Sequence, residues 1–370
     1  ITGTSGNKVI LGFIISTGFL SMWLSNTATT MMMFPIAMSV IHVIATHNKE
    51  NTGVKNFSLV LMLSIAYASN FALGTIIGTP PNVAYVNYIH EKFNYAVGFT
   101  DWMIVFTPLT IVLLFMLYWV LVKFLFPNKI KHSAEGKSFI KAELKALGKL
   151  SAPEKRVLLV FIGTVLLWIT KDIINSIQKI IVLDDTIIAM IGAITLFIIP
   201  SGNKTVTREE RLLDWPDTGK MAWGILLLFG GGIALAKALE DVKLMDQLGA
   251  YIASYATDNT FLMILIVTTI SVFLSEVMSN VAQVIVMAPV ISSVAVAMHV
   301  DPLLLGIPMT LGASCAGMLP MGTPPNAIVF ASGHIKLKDM IKAGFVLNII
   351  CIILITLFCW LLQPIIMRLM

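Results

Sequence analysis

Two uninterrupted apolar runs, Met103 to Phe126 and Ala343 to Leu362, reach the roughly 20 residues with which a helix crosses hydrocarbon. The rest of the chain agrees: 57% of its residues are hydrophobic and 12% charged, against roughly half and a quarter in soluble domains. Lipid is therefore the solvent for most of the chain. Any backbone amide or carbonyl freed inside it must find a partner within the protein. The polar interruptions of the apolar runs thereby become the informative positions.

The first interruption divides the run 9–44. Ser25 to Thr30 reads SNTATT, and Ser, Asn and Thr in succession compete with the helix for its own hydrogen bonds. Each arm is then too short to cross, so a re-entrant helical hairpin is expected. In the next run, 57–88, Gly78, Thr79, Pro80, Pro81 and Asn82 stand together; serial prolines break an α-helix, and two half-helices are expected. A plain span, 103–126, follows. The basic segment 127–156 comes next, with Ser138 to Lys149 expected as a surface amphipathic helix. Spans at 157–174, 186–199 and 221–239 then occupy 157–240. A second hairpin, 261–298, is interrupted at Ser279, Asn280 and Val281. A second broken helix, 303–332, carries Gly322, Thr323, Pro324, Pro325 and Asn326, and the span 343–362 ends the series.

The order hairpin, broken helix, span thus occurs twice, over 8–126 and 259–370. SNTATTMMMFP, Ser25 to Pro35, aligns without a gap on SNVAQVIVMAP, Ser279 to Pro289. Each Ser-Asn pair follows another serine one helical turn back, Ser21 or Ser275, on the same face. GTPPN recurs unchanged. The net charge of +5 collects in loops rather than on one domain face, which speaks for membrane topology and against nucleic acid. With the basic linker in the cytoplasm, the two repeats enter from opposite sides, and the Lys336, Lys338, Lys342 loop lands inside. The expected fold is an all-α polytopic membrane protein of inverted-topology repeats, an architecture of secondary transporters.

The residue types suit such a carrier. A half-helix C-terminus offers carbonyls to a cation, and the following N-terminus offers amides to an anion. Ser21, Ser25, Asn26 and Gly78 form one set of neutral oxygens, and Ser275, Ser279, Asn280 and Gly322 another. Neutral oxygens suit sodium, because carboxylates hold divalent ions more firmly. The anion is expected at Asn26, Thr27 and Asn280 with help from Thr79 and Thr323, Val281 standing where the first tip has Thr27. Neither motif contains an arginine, and dipoles with a co-bound cation release an anion more readily than a buried guanidinium.

At these motifs the chain resembles the divalent anion/sodium symporter family, carriers of di- and tricarboxylates and of sulfate, over nearly its whole length. The resemblance implies sodium at Ser21, Ser25, Asn26 and Gly78 and at Ser275, Asn280 and Gly322. It also implies a homodimer and an elevator motion of the transport domains, which the two repeats form while the spans between them belong to the scaffold. Family members have further scaffold spans before the first hairpin, and the start at Ile1 leads us to expect a fragment of a longer protein. The reading is sodium-coupled uptake of a small carboxylate, a C4 dicarboxylate such as succinate or else citrate, across a cell membrane, the bacterial inner membrane by expectation. A sodium-independent exchanger and a sodium/sulfate symporter are the alternatives, and sodium itself is the coupling ion with no other cofactor.

Other readings are weaker. No histidine lies within the interrupted core to activate a serine, which argues against an intramembrane hydrolase. A channel also uses re-entrant segments, and counterflow separates it from a carrier. Gly230 to Gly232 lacks the Lys and Ser/Thr of a phosphate loop and reads as helix packing. Glu276 is an intramembrane acid and hence a functional candidate, but a helix would turn it about 100° away from Ser275, and it is left out of the ligand set.

Overall fold

The structure is a computed structural model that describes residues 5–47, 52–128, 130, 148–178, 182–202, 211–220 and 259–362, with scattered positions between 223 and 251 and at 364 and 365. The expected amphipathic helix at 138–149 and the span at 221–239 lie largely outside the described residues. The rest are helical: α1 (Gly6–Ser21), α2 (Asn26–His47), α3 (Thr52–Asn70), α4 (Pro80–Phe93) and α5 (Phe99–Tyr118), which continues as a π-helical turn over Trp119–Leu125. Then come α6 (Ala152–Ile177), α7 (Asp185–Ile198), α8 (Thr260–Leu274), α9 (Asn280–Ala297), α10 (Pro302–Ala313), α11 (Pro324–Phe330) and α12 (Leu337–Leu361). By length and composition α2, α5 with its π-helical turn, α9 and α12 can each cross a membrane.

The interruptions fall where expected, but their edges shift toward the N-terminus. At the first tip the helix is open over 22–25 and resumes at Asn26. The Ser25 hydroxyl accepts from the Ala28 amide at 3.2 Å, so the Ser-Asn-Thr sequence starts α2 instead of interrupting it. The same correction applies to the prolines. Pro80 and Pro81 open α4, and Pro324 and Pro325 open α11, at the first helical positions, where a missing N–H costs nothing. The irregular backbone is the stretch before them, 71–79 and 314–323, with Asn82 and Asn326 already helical.

Contact clustering gives two compact units. The smaller, 98–100 with 141–227, contains α6 and α7 packed together. A capping box at Ser151 and Glu154 starts α6, and Lys171 pairs with Asp185 at 2.8 Å between the helices. The larger unit, 1–97, 101–140 and 228–370, holds both broken helices. In it α1 and α2 pack on α3, and α8 and α9 pack on α10. The short second halves cross over: α4 lies against α9 and α10, while α11 lies against α2 and α3. Glycine permits the closest of these approaches, since a Cβ on Gly306 of α10 would overlap the Tyr85 hydroxyl of α4.

Candidate functional site

Ser21 is the last residue of α1 and Asn26 the first of α2, so the open tip brings both to the irregular segment after α3. Ser21 Oγ donates to the Ser69 carbonyl at 3.1 Å. The Asn26 amide, with its nitrogen facing acceptors, donates to the carbonyls of Gly78 at 2.9 Å and Ser69 at 3.0 Å and to Ser21 Oγ at 2.9 Å. Rotated the other way, it places Oδ1 in the same spot, where Ser21 Oγ donates to it at 2.9 Å. In that second orientation four neutral oxygens from three chain segments converge, a donor set that fits a monovalent cation. Three of the four residues expected there, Ser21, Asn26 and Gly78, are brought together. Gly78 must be glycine because a Cβ would overlap the Ala72 carbonyl oxygen.

The second tip repeats the geometry. Ser275 Oγ donates to Asn280 Oδ1 at 2.8 Å and to the Ala313 carbonyl. Ala313 stands before its GTPPN in the same register as Ser69 before the first. Neither carbonyl was foreseen, because a backbone ligand has no side-chain signature; counting back from the repeated pentapeptide is the signal that finds them. None of the hydrogen bonds among the described residues joins Gly322 to Ser275 or Asn280. Ser25 and Ser279, by contrast, are exposed at the tips.

Of the expected anion contacts, Asn26, Thr27 and Asn280 are half-buried in the first turns of α2 and α9, and Val281 is buried. Thr79 and Thr323 face the opposite half. Asn70, which ends α3, donates to Thr323 Oγ1 at 3.2 Å, and Ser314, at the equivalent place after α10, meets Thr79 Oγ1 at 3.4 Å. Thr323 Oγ1 also caps Asn326 N at 3.3 Å. Asn82 and Asn326 then close each break on itself, donating to the carbonyls of Thr75 and Leu319, both at 3.1 Å. Side-chain amides at these positions replace the helical bonds that the breaks forgo.

Glu276 holds the place that the helical projection denied it. Helix α8 ends at Leu274, and the turn that follows aims the buried carboxylate into the second break. Oε1 accepts from the amides of Gly317 at 2.8 Å and Met318 at 2.9 Å, and Oε2 from those of Met318 and Leu319, both at 3.1 Å. Asn348 of α12 adds Nδ2 at 2.7 Å from Oε1.

The sequence matches the family described as the sodium:sulfate symporter transmembrane region over residues 1–368. It is similar to the sodium-dependent dicarboxylate transporter SdcS of Staphylococcus saprophyticus, 38% identical over 369 residues, covering 98% of this chain and 70% of the relative. The protein of the same name in Staphylococcus aureus (strain USA300) is 39% identical over 374 residues, covering 99% and 71%. Matched from end to end, with two Ser-Asn tips gathered on two broken helices, the chain belongs to the sodium:sulfate symporter family, the divalent anion/sodium symporters.

Proposed function

We propose that this membrane protein is a secondary transporter, not an enzyme, and that it moves a C4 dicarboxylate such as succinate together with sodium. The carrying observation is the duplicated oxygen cluster, Ser21 with Asn26 and the Ser69 and Gly78 carbonyls, and Ser275 with Asn280 and the Ala313 carbonyl. The relatives' name, sodium-dependent dicarboxylate transporter, supports both the ion and the anion class. Each cluster holds one cation through neutral oxygens. The anion lies between the tips, on the first amides of α2 and α9 with Asn26, Thr27, Asn280 and Val281 around it, and the cations offset its charge. Ser25, Ser279 and Gly322 complete the cation surroundings, and Thr79 and Thr323 hold the two breaks in register beneath the anion.

The two tips are re-entrant hairpins of inverted repeats in this reading, and the larger unit is the transport domain. It travels across the cell membrane by an elevator motion against a scaffold that includes α6 and α7, in a homodimer. The test is uptake of labelled succinate by the full chain in proteoliposomes, with an inward sodium gradient or with choline in its place, beside the Asn26→Ala, Asn280→Ala double variant. Sodium-driven uptake that the double variant loses is the expected result. Uptake that ignores both the cation and the substitutions overturns the reading, and sulfate competing as well as succinate shifts the anion class.

A further inference from the structure

The two cation clusters share their ligand types but not their surroundings. At the first, the residue after Ser21 is Met22; at the second, the residue after Ser275 is Glu276. Every polar partner of the Glu276 carboxylate is a donor, three backbone amides and one side-chain amide, which is the pattern of an ionised acceptor-only group. It is buried, and among the described residues no lysine, arginine or histidine forms an ion pair with it. A lone buried charge is costly unless fully hydrogen-bonded, and here the bonds tie it to the backbone that shapes the second cluster. Gly317 is held at both ends, its amide by Glu276 and its carbonyl by the Tyr67 hydroxyl at 2.7 Å. A Cβ built on Gly322 would lie 3.2 Å from Glu276 Oε2.

Asn348 reaches the carboxylate because α12 runs unusually close to the break. A Cβ on Gly344, one turn earlier on α12, would overlap the Gly317 carbonyl and the Met318 amide. Asn348 is itself fully buried, and its Oδ1 has no partner among the described residues. The asparagine is therefore held for its donor, which points at Glu276.

Resting on the cation-site reading above, we propose that Glu276 and Asn348 are positioning residues for the second cation. The carboxylate fixes the segment that carries the Ala313 carbonyl beside Ser275, and it places a fixed negative charge next to that cluster which the first cluster lacks. The second position thereby becomes the tighter of the two and fills first. The anion, held between the tips, makes no contact with either residue.

The experiment titrates sodium against succinate uptake by the full chain in proteoliposomes and, in detergent without succinate, against thermal stability. Glu276→Gln keeps the shape and loses the charge; it raises half-saturating sodium about tenfold, since charge-assisted bonds are roughly twice as strong as neutral ones. The succinate KM at saturating sodium stays within about twofold, because the anion gains nothing from the charge. Asn348→Leu, which leaves the charge in place, shifts sodium by about threefold, the loss of one bond to a charged group discounted for relaxation. Unchanged half-saturating sodium in both variants, with Asn280→Ala still abolishing sodium dependence, overturns this inference and leaves the site standing. Sodium dependence that survives Asn280→Ala as well overturns the site and the inference together. A succinate KM that rises in step with sodium half-saturation shows a merely structural role and also overturns it.

Discussion

The two breaks begin their second halves with the same five residues and are satisfied by opposite chemistry. At the first, freed carbonyls meet neutral donors from α5: Trp102 Nε1 donates to the Leu73 carbonyl at 2.9 Å and Thr107 Oγ1 to that of Gly74 at 3.3 Å. At the second, freed amides meet the carboxylate of Glu276. The pentapeptide thus sets where the half-helix starts, whereas the backbone before it takes its partners from whichever helix lies alongside. Two sites of common pattern acquire different electrostatics in this way, and a carrier of two like cations gains a means of telling them apart.

The comparison is most severely tested at Gly344, where α12 meets the second break. Gly344→Val drives a branched side chain into the Gly317 carbonyl and Met318 amide. Overpacking of this kind costs on the order of 3 kcal/mol or more, so little folded protein is expected by size-exclusion chromatography in detergent. A well-folded Gly344→Val protein would mean that the second break is not braced from α12. Trp102→Phe probes the first break more gently. It leaves one buried carbonyl without its donor, at about 1–3 kcal/mol, and it is expected to lower the melting temperature without moving half-saturating sodium. A sodium shift as large as that of Glu276→Gln would erase the distinction between the breaks.

The smallest effect is expected far from both. Tyr95, in the loop after α4, donates to Asp301 Oδ2 at 2.6 Å, while Asp301 Oδ1 caps Leu303 N of α10. The hydrogen bond to the carboxylate, aided by partial burial, pushes the Tyr95 hydroxyl up to about 12. A raised folded value favours the neutral phenol, so its stabilisation is complete below about pH 10, the ordinary tyrosine value, and disappears as pH climbs through about 12. Tyr95→Phe is expected to cost about 0.5–1 kcal/mol at neutral pH and nothing above that window. A larger loss would show that this peripheral link matters as much as the breaks.

Much of this was legible in the chain. The duplicated Ser-Asn pair and GTPPN give the order of elements, and they place Ser21, Asn26 and Gly78 in one cluster and Ser275 and Asn280 in another before any coordinates. What escaped has physical reasons. Residues such as Phe71 to Leu73 are apolar, and hydropathy does not register that they leave the helix. The prolines looked like the break itself because the rule that they end helices is more familiar than the rule that they begin them. Glu276 was projected on a continuing helix, yet α8 stops two residues earlier, and the turn swings its carboxylate toward Gly317.

The crossed bonds at the centre of the larger unit also bear on how the chain is made. Asn70 waits for Thr323, Tyr67 for Gly317 and Thr79 for Ser314, partners separated by 253, 250 and 235 residues. Until the last third of the polypeptide has entered the bilayer, the first half-helices hold buried polar atoms with nothing to bond to, which is expensive in hydrocarbon. Closing loops of that length is slow. The N-terminal half is therefore an unfinished intermediate during synthesis, and its passage to the native state depends on the C-terminal half arriving before quality control does.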